Sequence, residues 1–250
     1  MRYGQLPCLA GLTLLTALPL LASCASGDNY SEPKWQGYPK YDVDPQVIYR
    51  IDDHRYLLMS NYPDCDYARH FHYPMDVPRV YYRDDKLGIS QQLSPAVAYY
   101  RGKLIIDAPK GNTIAFPAAP IGGCTTTDRG CADPGITYST DAGRTWQWMP
   151  FLPGRSSTPD NTSRYKIAVT DDAIFTDREG LVNHAIRYPV GHGISYKPLV
   201  MPNGISIEGP FPSYKGKSPS GMERLICNPA IKPRSVTYHK VSPTEYFELP

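Results

Sequence analysis

Short apolar stretches recur along most of the chain, and turn-forming residues separate them. Paired stretches on either side of a short polar turn predict β-hairpins. Three such pairs are 47–51 with 56–59, 96–100 with 104–107, and 166–169 with 173–176. The best helix-compatible stretch, 220–225, is short, and no segment sustains a helical period. The pattern therefore predicts an all-β domain of antiparallel hairpins.

The N-terminal segment differs, because it is a mostly apolar run behind a single basic residue. The run 9–20 is interrupted by Pro19 and is shorter than the ~20 apolar residues that cross a bilayer. A basic start, a short apolar core and small residues before a cleavage point are typical of a secretory signal peptide. Residues 21–24 read Leu-Ala-Ser-Cys, which resembles the bacterial lipobox. The resemblance implies a signal peptide at 1–23 and lipidation of Cys24.

The lipobox resemblance also implies a location. Ala25, rather than an aspartate, follows the lipidated cysteine, which by the rule for such lipoproteins implies sorting to the outer membrane, facing the periplasm. Several acyl chains, each worth ~0.8 kcal/mol per buried CH₂, would make the anchor effectively permanent. The polar, aperiodic residues that follow predict a flexible tether. We therefore expect the lipidated N-terminus and tether at 24–45 and one all-β domain at 46–250.

Composition narrows the classes of function. The net charge is +2, which argues against a nucleic-acid partner, since such proteins concentrate basic charge. The 26 prolines, 20 glycines and 20 tyrosines disfavour a helical bundle and suit half-buried strands. Proline-rich loops cover 107–121, 149–163 and 198–220. The last is long enough to be a functional loop, although folding back over the core explains it equally well.

The chain has six cysteines, of which one would leave with the signal peptide and one would carry lipid. Four cysteines remain, and the oxidising periplasm favours disulfides with three conceivable pairings. Cys124 and Cys131 flank a turn-like loop, so we expect them to pair. Cys65 would then pair with Cys227. A metal site is not expected, because the chain contains no Cys-x-x-Cys motif.

One motif is specific for a local fold. Residues 139–146 read Ser-Thr-Asp-Ala-Gly-Arg-Thr-Trp, which resembles the Asp-box of sialidase-like β-propellers. In such a turn the aspartate accepts backbone N–H bonds, the glycine permits positive φ and the tryptophan packs into an apolar layer. The positions of the motif are Ser139, Asp141, Gly143, Thr145 and Trp146. The resemblance implies a structural hairpin and a small or irregular β-propeller-like domain.

Catalytic interpretations are poorly supported. Sialidases carry an early Arg-Ile-Pro signature, whereas residues 50–52 read Arg-Ile-Asp, and they usually carry several Asp-boxes. The chain is also short for six blades of ~40 residues each. It has no Gly-x-Ser-x-Gly elbow, phosphate loop or dinucleotide fingerprint. We therefore expect no catalytic residues and no cofactor.

Two further groups of polar residues could suggest metal binding. His70 and His72 would share one face of a strand, but their aromatic neighbours favour ordinary packing. Carboxylate pairs occur at 52–53, 84–85 and 171–172, where hairpin turns are predicted. Solvated turn residues are the better interpretation, so we expect no metal site.

The lipobox, the small all-β body and residues 123–146, which combine two cysteines with the Asp-box, resemble the Tli family of immunity lipoproteins. This family protects bacteria against lipase effectors of the type VI secretion system. The resemblance implies a non-enzymatic periplasmic protein that binds and blocks a toxic phospholipase. Its partners would be that lipase-type toxin and the membrane that holds its lipid.

Two other functions stay open. A glycan-binding or sialidase-like envelope lipoprotein would present aromatic platforms flanked by arginines. An outer-membrane scaffold lipoprotein would have a stable partner among the resident proteins of that membrane. Sequence pattern does not identify interface residues, since recognition surfaces are commonly built from loops.

Overall fold

The computed structural model describes residues 37–65, 78–119, 135–150, 159–178, 185–191, 205–206 and 217–240. Strands make up 47% of these residues, which contain no α-helix. Two short 3₁₀ helices, Pro95–Tyr99 and Pro159–Arg164, lie between strands. The protein is therefore all-β, as the alternating pattern predicted.

Fourteen strands occur within the described residues. In chain order they are β1 (Tyr38–Asp42), β2 (Gln46–Arg50), β3 (Arg55–Ser60), β4 (Arg79–Asp84), β5 (Ile89–Leu93), β6 (Lys103–Ile106), β7 (Ile114–Pro117), β8 (Gly135–Ser139), β9 (Gln147–Pro150), β10 (Tyr165–Val169), β11 (Ala173–Arg178), β12 (Ile186–Pro189), β13 (Ile205–Ser206) and β14 (Ser235–His239). Their sheets have the orders β1-β14, β2-β3-β4-β5, β7-β8-β9 and β13-β12-β11-β10-β6. Neighbours are antiparallel except for β6 and β10. These pairings do not by themselves define a propeller, so the propeller-like arrangement stays a prediction.

Two of the three predicted hairpins are confirmed, namely β2–β3 and β10–β11. The first turn is closed by Asp52, whose Oδ1 accepts the backbone N–H groups of His54 at 3.1 Å and Arg55 at 2.8 Å. In the second turn, the Thr170 hydroxyl donates to the carbonyl of Ala173 at 3.1 Å. Such side-chain bonds to nearby backbone define tight turns, which explains why these hairpins could be read locally.

The predicted hairpin of 96–100 with 104–107 is wrong. Ser94 accepts the N–H of Ala96, and proline follows at position 95, so the chain enters a 3₁₀ helix instead of a strand. The second half does form β6, but this strand pairs in parallel with β10. Most of the apolar run 96–100 lies in this 3₁₀ helix and is buried, and a short run of this kind cannot be distinguished from a strand by its pattern alone.

The first strand begins earlier in the chain than expected. Tyr38–Asp42, within the predicted tether, forms β1 and pairs with β14, and Gln36–Pro250 forms one compact unit. Tyr38 and Pro39 are buried, while Lys40 and Asp42 are exposed. The pairing partner lies almost two hundred residues away, so the local pattern around the glycine and prolines did not reveal this strand.

The core is centred on aromatic side chains from different sheets. The ring of Phe116, on β7, lies 6.5 Å from that of Tyr49 on β2 and 6.1 Å from that of Tyr82 on β4. Trp146 stacks on Phe116 at 6.0 Å and meets Tyr82 edge-on at 5.4 Å. Aromatic pairs at such distances contribute beyond their buried area. These contacts join the β2–β5 sheet to the β7–β9 sheet.

Residues 217–231, here called the C-terminal strap, run along the edge of β2. The N–H of Ser220 donates to the carbonyl of Ile51 at 2.9 Å, and the N–H of Ile226 donates to that of Ile48 at 2.7 Å. The segment 220–225, the best helical candidate in the sequence, has no helix. An open strand edge exposes unpaired backbone groups, and the strap covers some of those of β2.

The same strap reaches β6. The N–H of Leu104 donates to the carbonyl of Glu223 at 2.9 Å. Next to this contact, the buried Tyr49 hydroxyl donates to the Leu104 carbonyl at 2.8 Å. The Tyr49 hydroxyl also forms a hydrogen bond with the hydroxyl of Ser218. The Ser218 hydroxyl in turn accepts the N–H of Ile106 at 2.9 Å. Burial raises the pKa of Tyr49 well above its usual range, so this phenol stays neutral and can donate. This buried hydrogen-bond network therefore links β2, β6 and the strap.

A disulfide fastens the strap to the rest of the domain. Cys65 and Cys227 are bonded, with their Cα atoms 5.7 Å apart. Beside it, the buried side chain of Gln46 accepts the N–H of Asn228 at 2.8 Å and donates to its carbonyl at 3.3 Å. Gln46 also bonds the Tyr62 hydroxyl. The amide thus pairs with the strap backbone as a neighbouring strand would.

We predict that the double variant Cys65→Ser/Cys227→Ser is less stable by up to about 5 kcal/mol, because the bond closes a loop of 162 residues in the unfolded chain. Urea unfolding of the oxidised protein checks this result. The matched control, Cys124→Ser/Cys131→Ser, should lose less, because any loop that it opens is far shorter. An unchanged urea midpoint for the first variant would contradict the stabilising role of the disulfide.

Candidate functional site

The cysteines for which the sequence predicts a disulfide or lipidation fall into two groups, those within the described residues and those outside them. Cys65 and Cys227 form the disulfide that the sequence analysis expected of them. Cys24, Cys124 and Cys131 lie outside the described residues, as do the two histidines at 70 and 72. Lipidation of Cys24 and the second disulfide therefore stay predictions.

The turn between β8 and β9 contains the motif that resembles the Asp-box. The hydroxyl of Ser139 donates to Asp141 Oδ1 at 2.8 Å and accepts the N–H of Gly143 at 2.8 Å. Asp141 also accepts the backbone N–H of Thr145 at 2.9 Å and its hydroxyl at 2.6 Å. Burial tends to raise the pKa of Asp141, but the bonds from Thr145 and Ser139 outweigh it and hold that pKa below its ordinary value. The carboxylate of Asp141 therefore stabilises the conformation of the turn.

The turn packs directly on the aromatic core. Gly143 has φ +87°, and a Cβ atom there would clash with the ring of Tyr82. Trp146 donates its indole N–H to the carbonyl of Gly143 at 2.9 Å, which fixes the ring against Phe116 and Tyr82. The side chains of this turn are therefore structural, which agrees with the non-catalytic interpretation. Its assignment as an Asp-box stays a prediction.

The paired carboxylates lie in turns and have structural partners. Asp84 is buried and accepts the N–H of Leu87 at 2.9 Å. Asp171 accepts the N–H of Lys110 at 3.0 Å. The remaining contacts are Asp52 with Arg55 at 2.6 Å, Asp172 with Arg187 at 2.7 Å, and Asp85 with the Tyr56 hydroxyl at 3.0 Å. The aspartates stabilise these turns through hydrogen bonds and ion pairs, although Asp84 and Asp52 are less exposed to solvent than the sequence suggested.

One of these turns brings three potential metal ligands together. Oxygen and nitrogen atoms of Asp52, Asp53 and His54 lie within 4.8 Å of one another. Asp52 is already bonded to the guanidinium of Arg55 and to two backbone N–H groups, while the side chain of Asp53 is 94% exposed. An exposed acidic turn of this kind is explained by its own hydrogen bonds.

The β2–β5 sheet has one face in the core and one face outward. Along β3, Arg55, Leu57 and Met59 are buried while Tyr56, Leu58 and Ser60 are half-exposed. Residues opposite one another in an antiparallel pair lie close enough for their side chains to touch. The register places Arg50 opposite Tyr56, Tyr56 opposite Arg83, and Leu58 opposite Tyr81. We call the set Arg50, Tyr56, Leu58, Tyr81 and Arg83 the outer face.

The arginines of the outer face stack on its tyrosines. The guanidinium carbon of Arg50 lies 5.1 Å from the ring centroid of Tyr56, and that of Arg83 lies 6.0 Å from that of Tyr81. Cation–π contacts at such distances are favourable at exposed sites. Burial and the hydrogen bond to Asp85 raise the pKa of the Tyr56 hydroxyl. The result is a set of ordered, amphipathic side chains on a four-stranded scaffold.

The outer face is not apparent from local sequence patterns. The available signal was the alternation of β3 and β4, whose half-exposed positions are Tyr56, Leu58 and Ser60 on β3 and Tyr81 and Arg83 on β4. Four large hydrophobic residues of the described part are more exposed than those of the outer face, and two of them lie on β14. They are Leu87, Ile226, Val236 and Tyr238. None of the described residues forms a helix long and apolar enough to cross a membrane.

The described part is an all-β scaffold whose turn aspartates have structural partners, and it presents an ordered face of tyrosines and arginines. These features are typical of a protein that acts by binding. Comparison with known families supports this class. The family model described as "T6SS Tli3 immunity protein" matches residues 41–178, and the chain belongs to this family. No curated protein matches the chain.

Family membership defines the function at a coarse level. The protein is an immunity protein of the type VI secretion system, and the family implies that it binds an effector toxin. The family consists of non-enzymatic inhibitors, so the protein is not an enzyme. Of the three functions that the sequence left open, membership of the family favours immunity.

We predict that Gly143→Ala destabilises the protein by about 3 kcal/mol, because it adds a backbone penalty at positive φ to a clash with the buried Tyr82. Gly88→Ala is the matched control. Gly88 also has positive φ (+66°), but an added methyl group there would meet no other atom within 4 Å. It should cost about 1 kcal/mol. Equal urea midpoints for the two variants would contradict the proposed docking of this turn.

Proposed function

We propose that the protein is a lipid-anchored immunity protein that faces the periplasm and neutralises a phospholipase effector. The observation that carries the proposal is the match of residues 41–178 to the immunity family. The phospholipase target comes from the resemblance of the sequence to lipase-immunity lipoproteins. The Leu-Ala-Ser-Cys string at 21–24 supports the anchor.

The disulfide supports an extracytoplasmic location. Disulfides persist in oxidising compartments such as the bacterial periplasm and are rare in the reducing cytosol. The bond between Cys65 and Cys227 joins segments that lie 162 residues apart in the chain, and Gln46 and Asn228 hold the same region together. A protein that depends on this bond suits the compartment to which a lipoprotein signal would direct it.

Anchoring also suits inhibition of a phospholipase. A toxin that hydrolyses membrane phospholipid acts at the bilayer surface. A lipid-anchored inhibitor would be held at that same surface, where tethering raises its effective concentration. Inhibition would then require only occupation of the toxin's active site or of its route to lipid, with no chemistry by the inhibitor.

Co-expression tests the proposal. The neighbouring-gene effector, directed to the periplasm, should lyse cells that lack this protein and spare cells that carry it. Phospholipid analysis of the intoxicated cells should show hydrolysis that the protein suppresses. Lysis at the same rate with and without this protein would contradict neutralisation, and lysis without phospholipid hydrolysis would contradict the phospholipase target.

The anchor is tested in the same cells with two matched variants. Cys24→Ala should abolish acylation, leave the membrane fraction and protect less well, because the inhibitor is no longer held at the bilayer. Cys8→Ala should behave as wild type, since Cys8 lies within the predicted signal peptide. Recovery of Cys24→Ala in the membrane pellet would contradict lipidation at this residue.

A further inference from the structure

The outer face differs from other exposed parts of the described structure in its composition. It combines two tyrosines, two arginines and a leucine on adjacent strands. Tyrosine and arginine are enriched among residues that dominate binding energy, because each offers a large contact area together with hydrogen-bonding groups. The opposite side of the same sheet supplies Leu57 and Tyr82 to the core, so the face stands on a packed scaffold.

The side chains of the outer face are already ordered. The stacking of Arg50 on Tyr56 and of Arg83 on Tyr81 restricts two long side chains that would otherwise lose conformational freedom on binding. The Tyr56 hydroxyl is held by Asp85. Ordering before association lowers the entropic cost of binding, which is how a preorganised surface gains affinity.

Charge indicates the chemistry of the partner. Among the described residues, no carboxylate forms an ion pair with Arg50 or Arg83, and the nearby Asp85 bonds Tyr56 instead. The register places these two arginines on either side of Tyr56, and such a pair of guanidinium groups fits a partner surface that offers carboxylate or carbonyl oxygens around an aromatic contact. Charged groups arranged in this way favour specificity and rapid encounter.

The strap has one exposed apolar residue at the edge of the same sheet. Ile226 is 61% exposed, and its N–H bonds Ile48 at the edge of β2. Its neighbours Leu225 and Cys227 pack towards the core, so Ile226 is the apolar residue that the strap leaves exposed beside the sheet. All four strands of the β2–β5 sheet lie inside the residues that match the immunity family, whereas Ile226, Val236 and Tyr238 lie outside them, so Ile226 is included only for its place at the edge of this sheet.

We propose that the outer face, together with Ile226, is the surface that binds the effector toxin. The inference rests on the proposed function, in that the partner is the effector that this immunity protein neutralises. Tyr56 and Arg83 occupy the middle of the face, on β3 and β4, and supply its principal contacts. A central position favours strong contributions because surrounding residues exclude water.

Binding of the full-length lipidated protein to the purified neighbouring-gene effector tests the inference. We expect Tyr56→Ala and Arg83→Glu each to weaken the Kd by at least about thirtyfold. Tyr238→Ala and Arg144→Glu, matched changes at exposed positions elsewhere, should stay within about twofold of wild type. Thermal unfolding of all four variants shows whether a loss of binding reflects a loss of fold.

Labelling of the unaltered protein provides a measurement that does not depend on variants. Hydroxyl-radical labelling should fall at Tyr56 and Tyr81 when the effector binds and remain unchanged at Tyr238. Wild-type affinity in the two outer-face variants, or unchanged labelling of both tyrosines in the complex, would overturn the inference while leaving the proposed function intact.

Two other outcomes are informative. If the wild-type protein does not bind the effector, the proposed function is wrong, and this inference, which rests on it, is wrong as well. If the outer-face variants bind the effector normally but lose binding to phosphatidylglycerol vesicles, the face is a lipid-binding surface and the inference is wrong. Loss of effector binding with unchanged vesicle binding supports it.

Discussion

The C-terminal strap supplies backbone partners to β2 and β6, strands that lie at the ends of two different sheets. Both strands would otherwise present open edges, which favour non-native pairing. The buried bonds among Tyr49, Ser218 and the backbone of β6 hold these edges together, and the disulfide keeps the strap in place. The position of the β2–β5 sheet, and therefore of its outer face, depends on these buried bonds and on the disulfide.

Features of the fold that depend on neighbouring residues could be predicted from the sequence. The β2–β3 and β10–β11 hairpins follow from alternation and from turn residues that bond their own backbone. Pairings between distant segments could not, because periodicity does not identify a partner. Thus the composition around β1 predicts a tether although this strand pairs with β14, and the local pattern around β6 predicts a hairpin although this strand lies parallel to β10.

The candidate site shows the same division. The turn at 139–146 could be read because its Ser, Asp, Gly and Trp positions lie within eight residues and bond one another. The outer face could not, since Arg50, Tyr56 and Arg83 become neighbours only through the register of three strands. That register depends on which side chains are buried beneath the sheet. The sequence nevertheless indicated that a surface, rather than a catalytic site, carries the function.

An inhibitor that works by occupying a surface should act in proportion to its amount, because it has no turnover. Titration of the purified effector's activity with this protein tests that claim most directly. The account predicts a linear loss of activity that ends at a fixed stoichiometric ratio near the concentration of effector. Inactivation by a small catalytic amount of the protein, or full effector activity in its excess, would contradict the account.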